Sequence, residues 1–136
     1  MLTARARSSG EKMKILYLSV NKERACSSKD WYLQNQLAKM EKLIFYGPGY
    51  PNIPFFGRWD VTKIIRHVYV NDKPDVIVID HNWTVSRQWK NLEKIEIPKA
   101  FIISDPHHEI SKKMAYIRKN KIDLTLFVLK DTMKQF

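Results

Sequence analysis

Five short apolar runs punctuate the chain, each bounded by polar or turn-forming residues: 14–20, 43–46, 76–79, 100–103 and 124–129. Their length suits strands, and their nearly continuous apolar character marks strands buried on both faces. Between the runs the apolar period changes to that of a helix. Leu33, Leu37 and Met40 follow Asp30, and Val61, Ile64, Ile65 and Val68 follow Asp60. Val85, Trp89 and Leu92 follow the third run, and Ile110, Met114 and Ile117 follow the fourth. Aspartate is a good N-cap and proline suits the first helical position. Asp30, Asp60 and the pair Asp105-Pro106 therefore predict helix starts, and Lys130-Asp131 opens a last helix. Gly47-Pro48-Gly49 and Lys73-Pro74-Asp75 act as stops.

Strands alternating with helices predict a Rossmann-like, three-layer α/β/α domain with a five-stranded parallel sheet and right-handed crossovers. The expected strand order is 3-2-1-4-5, with 14–20 in the centre. In open sheets of this kind ligands bind beyond the carboxyl ends of the strands. Five loops would gather on that edge: Asn21 onward, Tyr46–Tyr50, Asp80-His81-Asn82, Asp105–His108 and Lys130-Asp131.

A chain of 136 residues, 44% of them apolar, holds one domain with a real core. Residues 13–136 are read as that domain and 1–12 as a flexible basic leader. No apolar run approaches the ~20 residues of a membrane-spanning helix. Met1–Lys14 lacks the apolar segment of a secretory signal. The single cysteine, Cys26, excludes an internal disulfide and a cysteine-based zinc site, and the balance predicts a cytoplasmic location. A net charge of +10 attracts anions: nucleic acid, acidic lipid or phosphorylated small molecules. The charge is spread along the chain and no nucleic-acid recognition motif is present, so specific nucleic-acid binding is not expected. Peripheral contact with an acidic membrane surface fits the charge.

The chain has neither G-x-G-x-x-G nor a P-loop, which argues against a nicotinamide enzyme. His107 is the candidate general base, with Asp105 beside it. A helix N-terminus disfavours imidazolium, and a neutral imidazole can accept a proton. The same helix end attracts a phosphate or carboxylate. Adjacent histidines on a helix point about 100° apart, so His107 and His108 would not share an ion, and no metal is expected. Gly47 and Gly49 let a ligand approach the backbone, and Tyr50 offers a flat face for a sugar or base. Equally, this segment can be a rigid surface loop whose Phe55, Phe56 and Trp59 cover a sheet edge. His81, Asn82 and His108 complete the candidate substrate-binding set.

Several stretches, in this order, resemble the N-terminal half of two-domain, GT-B-type glycosyltransferases. They are Tyr46-Gly47-Pro48-Gly49-Tyr50, Asp60 with its helix, Lys73-Pro74-Asp75-Val76-Ile77, Ile97-Pro98, Ser104-Asp105-Pro106-His107, and Ile122-Asp123-Leu124 with Leu126-Phe127. The similar group includes spore-coat-maturation-like and archaeal members, and the resemblance covers about Met13 to Phe136. It implies two Rossmann-like halves facing across a cleft. The N-terminal half binds the sugar or phosphorylated acceptor, and the C-terminal half binds most of the nucleotide-sugar donor. It also implies metal-independent catalysis and a histidine near a strand end, which His107 matches. The chain ends at Phe136, before the donor-binding half would begin. On this resemblance it is expected to be inactive alone, with no cofactor of its own and with a C-terminal partner domain or a homodimer as partner. The alternative is a receiver-like regulatory module. Asp80 would be the phosphate acceptor, Ser104 the hydroxyl after the fourth strand and Lys130 the lysine after the fifth. The acidic pair such modules carry after the first strand is replaced here by Asn21-Lys22-Glu23-Arg24.

Overall fold

The computed structural model describes residues 13–21, 42–50, 53–55 and 58–127. The leader, Cys26, the helix expected after Asp30, Phe56 and the helix expected at Lys130-Asp131 lie outside the described residues. The elements are β1 (Lys14–Leu18), β2 (Lys42–Tyr46), α1 (Val61–Tyr69), β3 (Val76–Ile79), α2 (Trp83–Ser86), a 3-10 turn at Leu92–Lys94, β4 (Lys99–Ile103), α3 (Ile110–Lys119) and β5 (Leu124–Phe127). All five strands pair in parallel, as the alternation predicts.

Their order is β2-β1-β3-β4-β5. The expected order, 3-2-1-4-5, set Val76–Ile79 at an edge; the structure sets it in the centre, between β1 and β4. Burial explains the difference. Val-Ile-Val-Ile carries no polar residue, and Ile77 and Ile79 are fully buried. A run of that kind gains most from neighbours on both sides. Lys42 of β2 is exposed and Leu43, Ile44 and Phe45 are half-buried, so β2 takes one edge. β5 takes the other.

Strand alternation puts Leu16, Leu18, Tyr46, Ile77, Ile79, Phe101 and Ile103 in one core. Val61 and Ile64 of α1, Val85 of α2, Leu92 of the 3-10 turn and Tyr116 of α3 pack into it. On the opposite face Ile15, Tyr17, Ala100 and Ile102 are buried as well. Phe55 and Trp59 belong to the core side. Trp59 lies 4.8 Å from Trp89, ring to ring, and Phe55 lies 5.9 Å from Tyr46. These aromatics therefore pack on the sheet rather than forming a ligand platform.

Two helices differ from their predicted form. Val85, Trp89 and Leu92 do not share one helix. α2 stops after one turn, Lys90 pairs with Asp60 in an isolated bridge, and Asn91 takes a left-handed φ of 65°. Bridging lets the Lys90 N–H donate to Trp59 O and Lys90 O accept from Val61 N–H, seating Trp89 among the other rings. Likewise, α3 does not start at Asp105-Pro106. Residues 106–109 form a turn, and the helix begins at Ile110 behind Glu109. The turn is closed instead by the buried Lys113, whose Nζ donates to Asp105 O at 2.8 Å.

At the amino edge one arrangement occurs twice. Asp75, just before β3, donates its N–H to Lys14 O (2.8 Å) and accepts Lys14 N–H on its carboxylate (2.7 Å). Asp123, just before β5, makes the same reciprocal pair with Lys99, at 2.9 Å for both bonds. The buried Lys99 ammonium donates to Ile95 O, and its burial lowers its pKa from the ordinary lysine value.

Asp60 caps α1 as the sequence predicts, accepting from Thr62 N–H at 3.0 Å and Thr62 Oγ1 at 2.6 Å. The Thr62 hydroxyl is the main reason its carboxyl lies below the ordinary value. Asp60→Ala should cost about 1 kcal/mol at neutral pH, read as a fall in unfolding midpoint. A carboxyl with a lowered folded pKa stabilises above its ordinary pKa and loses that contribution as pH falls through the lowered one. The gap between parent and variant should therefore close in acid, below the ordinary carboxylate range.

Candidate functional site at the sheet switch point

In this strand order the chain leaves β1 towards β2 and leaves β3 towards β4, in opposite directions. That reversal is a topological switch point beyond the carboxyl ends of β1 and β3, where open α/β sheets have their ligand-binding crevice. Ser19, Val20 and Asn21 border it on one side, and Asp80, His81 and Asn82 on the other. Leu18 lies opposite Ile79, so Ser19 and Asp80 emerge side by side.

Asp80 forms the floor. Its side of the crevice is closed to water: the residue is 5% exposed. One carboxylate oxygen accepts from Tyr17 OH (3.0 Å) and from His81 N–H (2.8 Å). The other accepts from Ser19 Oγ at 2.7 Å. The network continues inward. Ser86 Oγ donates to Asp80 O, and Tyr116 OH donates to Ser86 O at 2.7 Å. Burial pushes the Tyr116 phenol well above its ordinary pKa, which keeps it a donor. The Asp80 carboxylate thus ties β3 to β1, and its backbone carbonyl extends the network to α2 and, through Ser86, to α3.

His81 stands at the rim, half-buried, with Nε2 3.9 Å from the same Asp80 oxygen. Asn82 caps α2, its Oδ1 accepting from Val85 N–H at 3.3 Å. The next loop follows β4. Asp105, His107 and His108 are all exposed there. His108 Nε2 lies 3.5 Å from Glu109, whose carboxyl is held low chiefly by Lys112 at 2.9 Å. Since α3 starts only at Ile110, His107 is not a first-turn residue, and the helix-dipole argument for its neutrality does not apply. The cap position that would attract an anion carries the Glu109 carboxylate.

The glycine turn has a different job from the one expected. Gly47 has φ 148° and Gly49 φ 88°. A Cβ on Gly47 would lie 1.6 Å from Ser19 O, and one on Gly49 2.8 Å from Asn21 O. The close approach is made by the β1 loop itself, which donates Ser19 N–H to Tyr46 O, Asn21 N–H to Pro48 O and Asn21 Nδ2 to Gly49 O. Tyr50 stacks on Phe45 with ring centres 5.3 Å apart and planes 13° from parallel. Phe45 in turn meets the edge of Tyr17.

The expectation of one concave surface joining Gly47, Gly49, His81, Asp105 and His107 required β2 and β4 to flank β1. They do not. β3 intervenes, and β2 and β4 stand three strand spacings apart, about 14 Å. The structure brings His81 and Asn82 beside Asp105, His107 and His108 on neighbouring strands, and leaves the glycine turn across the crevice. Sequence reasoning missed Tyr17, Ser19 and Ser86. The signal for them was the polar residue closing each apolar run, Ser19 and Asp80, once β1 and β3 are known to be neighbours.

Among the described residues no group of three His, Cys, Asp or Glu is placed to hold a metal ion. No described helix is long and apolar enough to cross a membrane. No protein-family model, curated protein or solved structure matches the chain.

Two substitutions test this construction. Gly47→Ala sets a methyl against a backbone carbonyl and strains φ, so it should lower stability by roughly 3 kcal/mol or more in chemical denaturation. Asp80→Ala leaves buried donors without an acceptor, at about 1–3 kcal/mol each. Asp80→Asn keeps an acceptor and should lose clearly less in the same measurement.

Proposed function

We propose that this chain provides the acceptor-binding half of a glycosyltransferase that uses a nucleotide-sugar donor. The observation that carries the reading is the group of polar side chains at the carboxyl ends of β3 and β4, beside the switch point. His81 and Asn82 from the β3 loop adjoin exposed Asp105, His107 and His108 from the β4 loop. Imidazoles, a carboxylate and an amide on a rigid sheet edge are the groups that hold sugar hydroxyls and remove a proton from one of them. The parallel Rossmann-like sheet and the ordered stretches described above support the same class. In this reading His107 and Asp105 serve the attacking hydroxyl, while His81, Asn82 and His108 grip the acceptor. The glycine turn and Tyr50 bound the site without touching the reacting groups.

A receiver-like module is the second reading. The 2-1-3-4-5 order favours it, because this order places Asp80 beside the switch point. The buried state of Asp80 opposes it. Both carboxylate oxygens accept hydrogen bonds inside the protein, whereas a phosphate acceptor has to meet its donor.

Nuclear magnetic resonance titration with free hexoses and hexose phosphates tests the first reading. Amides at 81–82 and 105–108 should shift, and His107→Ala or Asn82→Ala should weaken binding about tenfold. No response at those amides overturns it. Incubation with acetyl phosphate and magnesium tests the second: a phosphoryl adduct on Asp80, seen by intact mass, would replace the sugar reading.

A further inference from the structure

The outer flank of α3 and β5 carries apolar side chains that are exposed. Tyr116 points one side of α3 at Trp83 and Phe101, towards β3. At 100° per residue, Ile110, Met114 and Ile117 fall on the other side, towards β5. Phe127 lies opposite Ile103, a residue of the helix-covered core, so it faces the α3 side of β5. Phe127 is 53% exposed, Met114 40% and Ile110 38%. Leu126, on the reverse face of the same strand, is also exposed. β5 itself carries no charge, although outer strands are ordinarily guarded by one. Arg118 and Lys121 border this apolar surface and are exposed. The acids that directly precede α3 and β5 are engaged: Glu109 with Lys112, and Asp123 with the Lys99 backbone.

We propose that this flank docks the protein on the surface of an anionic lipid bilayer. Apolar side chains enter the headgroup boundary while lysine and arginine meet lipid phosphates, and the combination suits an interfacial site. Charge decides between occupants. A net charge of +10 opposes pairing of this flank with a second copy of itself. A nucleic acid would use the basic border and leave Phe127 and Met114 in water. The inference does not depend on the sugar-transfer reading, and its test has no transfer readout.

The test is co-sedimentation of the full chain with vesicles of phosphatidylcholine alone or mixed with phosphatidylglycerol, at low and high salt. Binding should need the anionic lipid and weaken at high salt. Met114→Ser with Phe127→Ser, and separately Arg118→Glu with Lys121→Glu, should each lower vesicle partition at least about tenfold. Thermal melts should show both variants folded. If the apolar pair melts early, the charge-reversed pair, wholly on the surface, decides. Absence of binding, equal binding to neutral vesicles, or binding indifferent to the charge reversal overturns the proposal. So does a dimer in sedimentation velocity that the same substitutions dissolve, or equal retention on immobilised polyglutamate.

Discussion

The buried carboxylate of Asp80 is the constraint on which the rest of the fold depends. Water is excluded from it, so its charge has to be met by donors of the protein itself. Tyr17 and Ser19 can supply them only if β1 lies directly against β3. The Asp80 carbonyl engages Ser86, and Ser86 engages Tyr116, so α2 and α3 are held to the same point. An apolar residue at position 80 would pack in several ways. A carboxylate with three donors packs in one. The contact of β3 with β1 follows from the same requirement, and the Asp80 carbonyl sets the helices above it.

The fold was legible because its signals are local. Apolar runs of strand length, helical spacing after Asp60 and the stop at Lys73-Pro74-Asp75 each act within a few residues. Strand order is different in kind. It depends on whether Val76–Ile79 sits beside β1 or beyond β2, and that is settled by contacts more than fifty residues apart in sequence. The start of α3 was misplaced for a related reason. Asp105-Pro106 has the composition of a cap, yet Lys113, eight residues later, closes the turn first.

The candidate site was legible in part. His81, Asn82, Asp105, His107 and His108 could be placed on one sheet edge because residues just after parallel strands share it. Gly47 and Gly49 were found for the right property, close backbone approach, but the approaching backbone is the chain's own. A glycine tells that something comes near; it does not tell what. The exposed histidines and the buried aspartate also divide the labour of the edge. The floor is rigid and fully bonded, and the loop after β4 keeps Asp105, His107 and His108 exposed to solvent.

The reciprocal aspartate pairs at the amino edge have a mechanical consequence. Each fixes where a strand begins against its neighbour, using two bonds that a shift of one residue would break together. Such a shift would also turn the core side chains of that strand to the opposite face. At the amino edge β3 is therefore indexed against β1, and β5 against β4. Length changes in the exposed loop after β4 can be taken up there without sliding these strands, so that loop can be rebuilt while the core keeps its alignment.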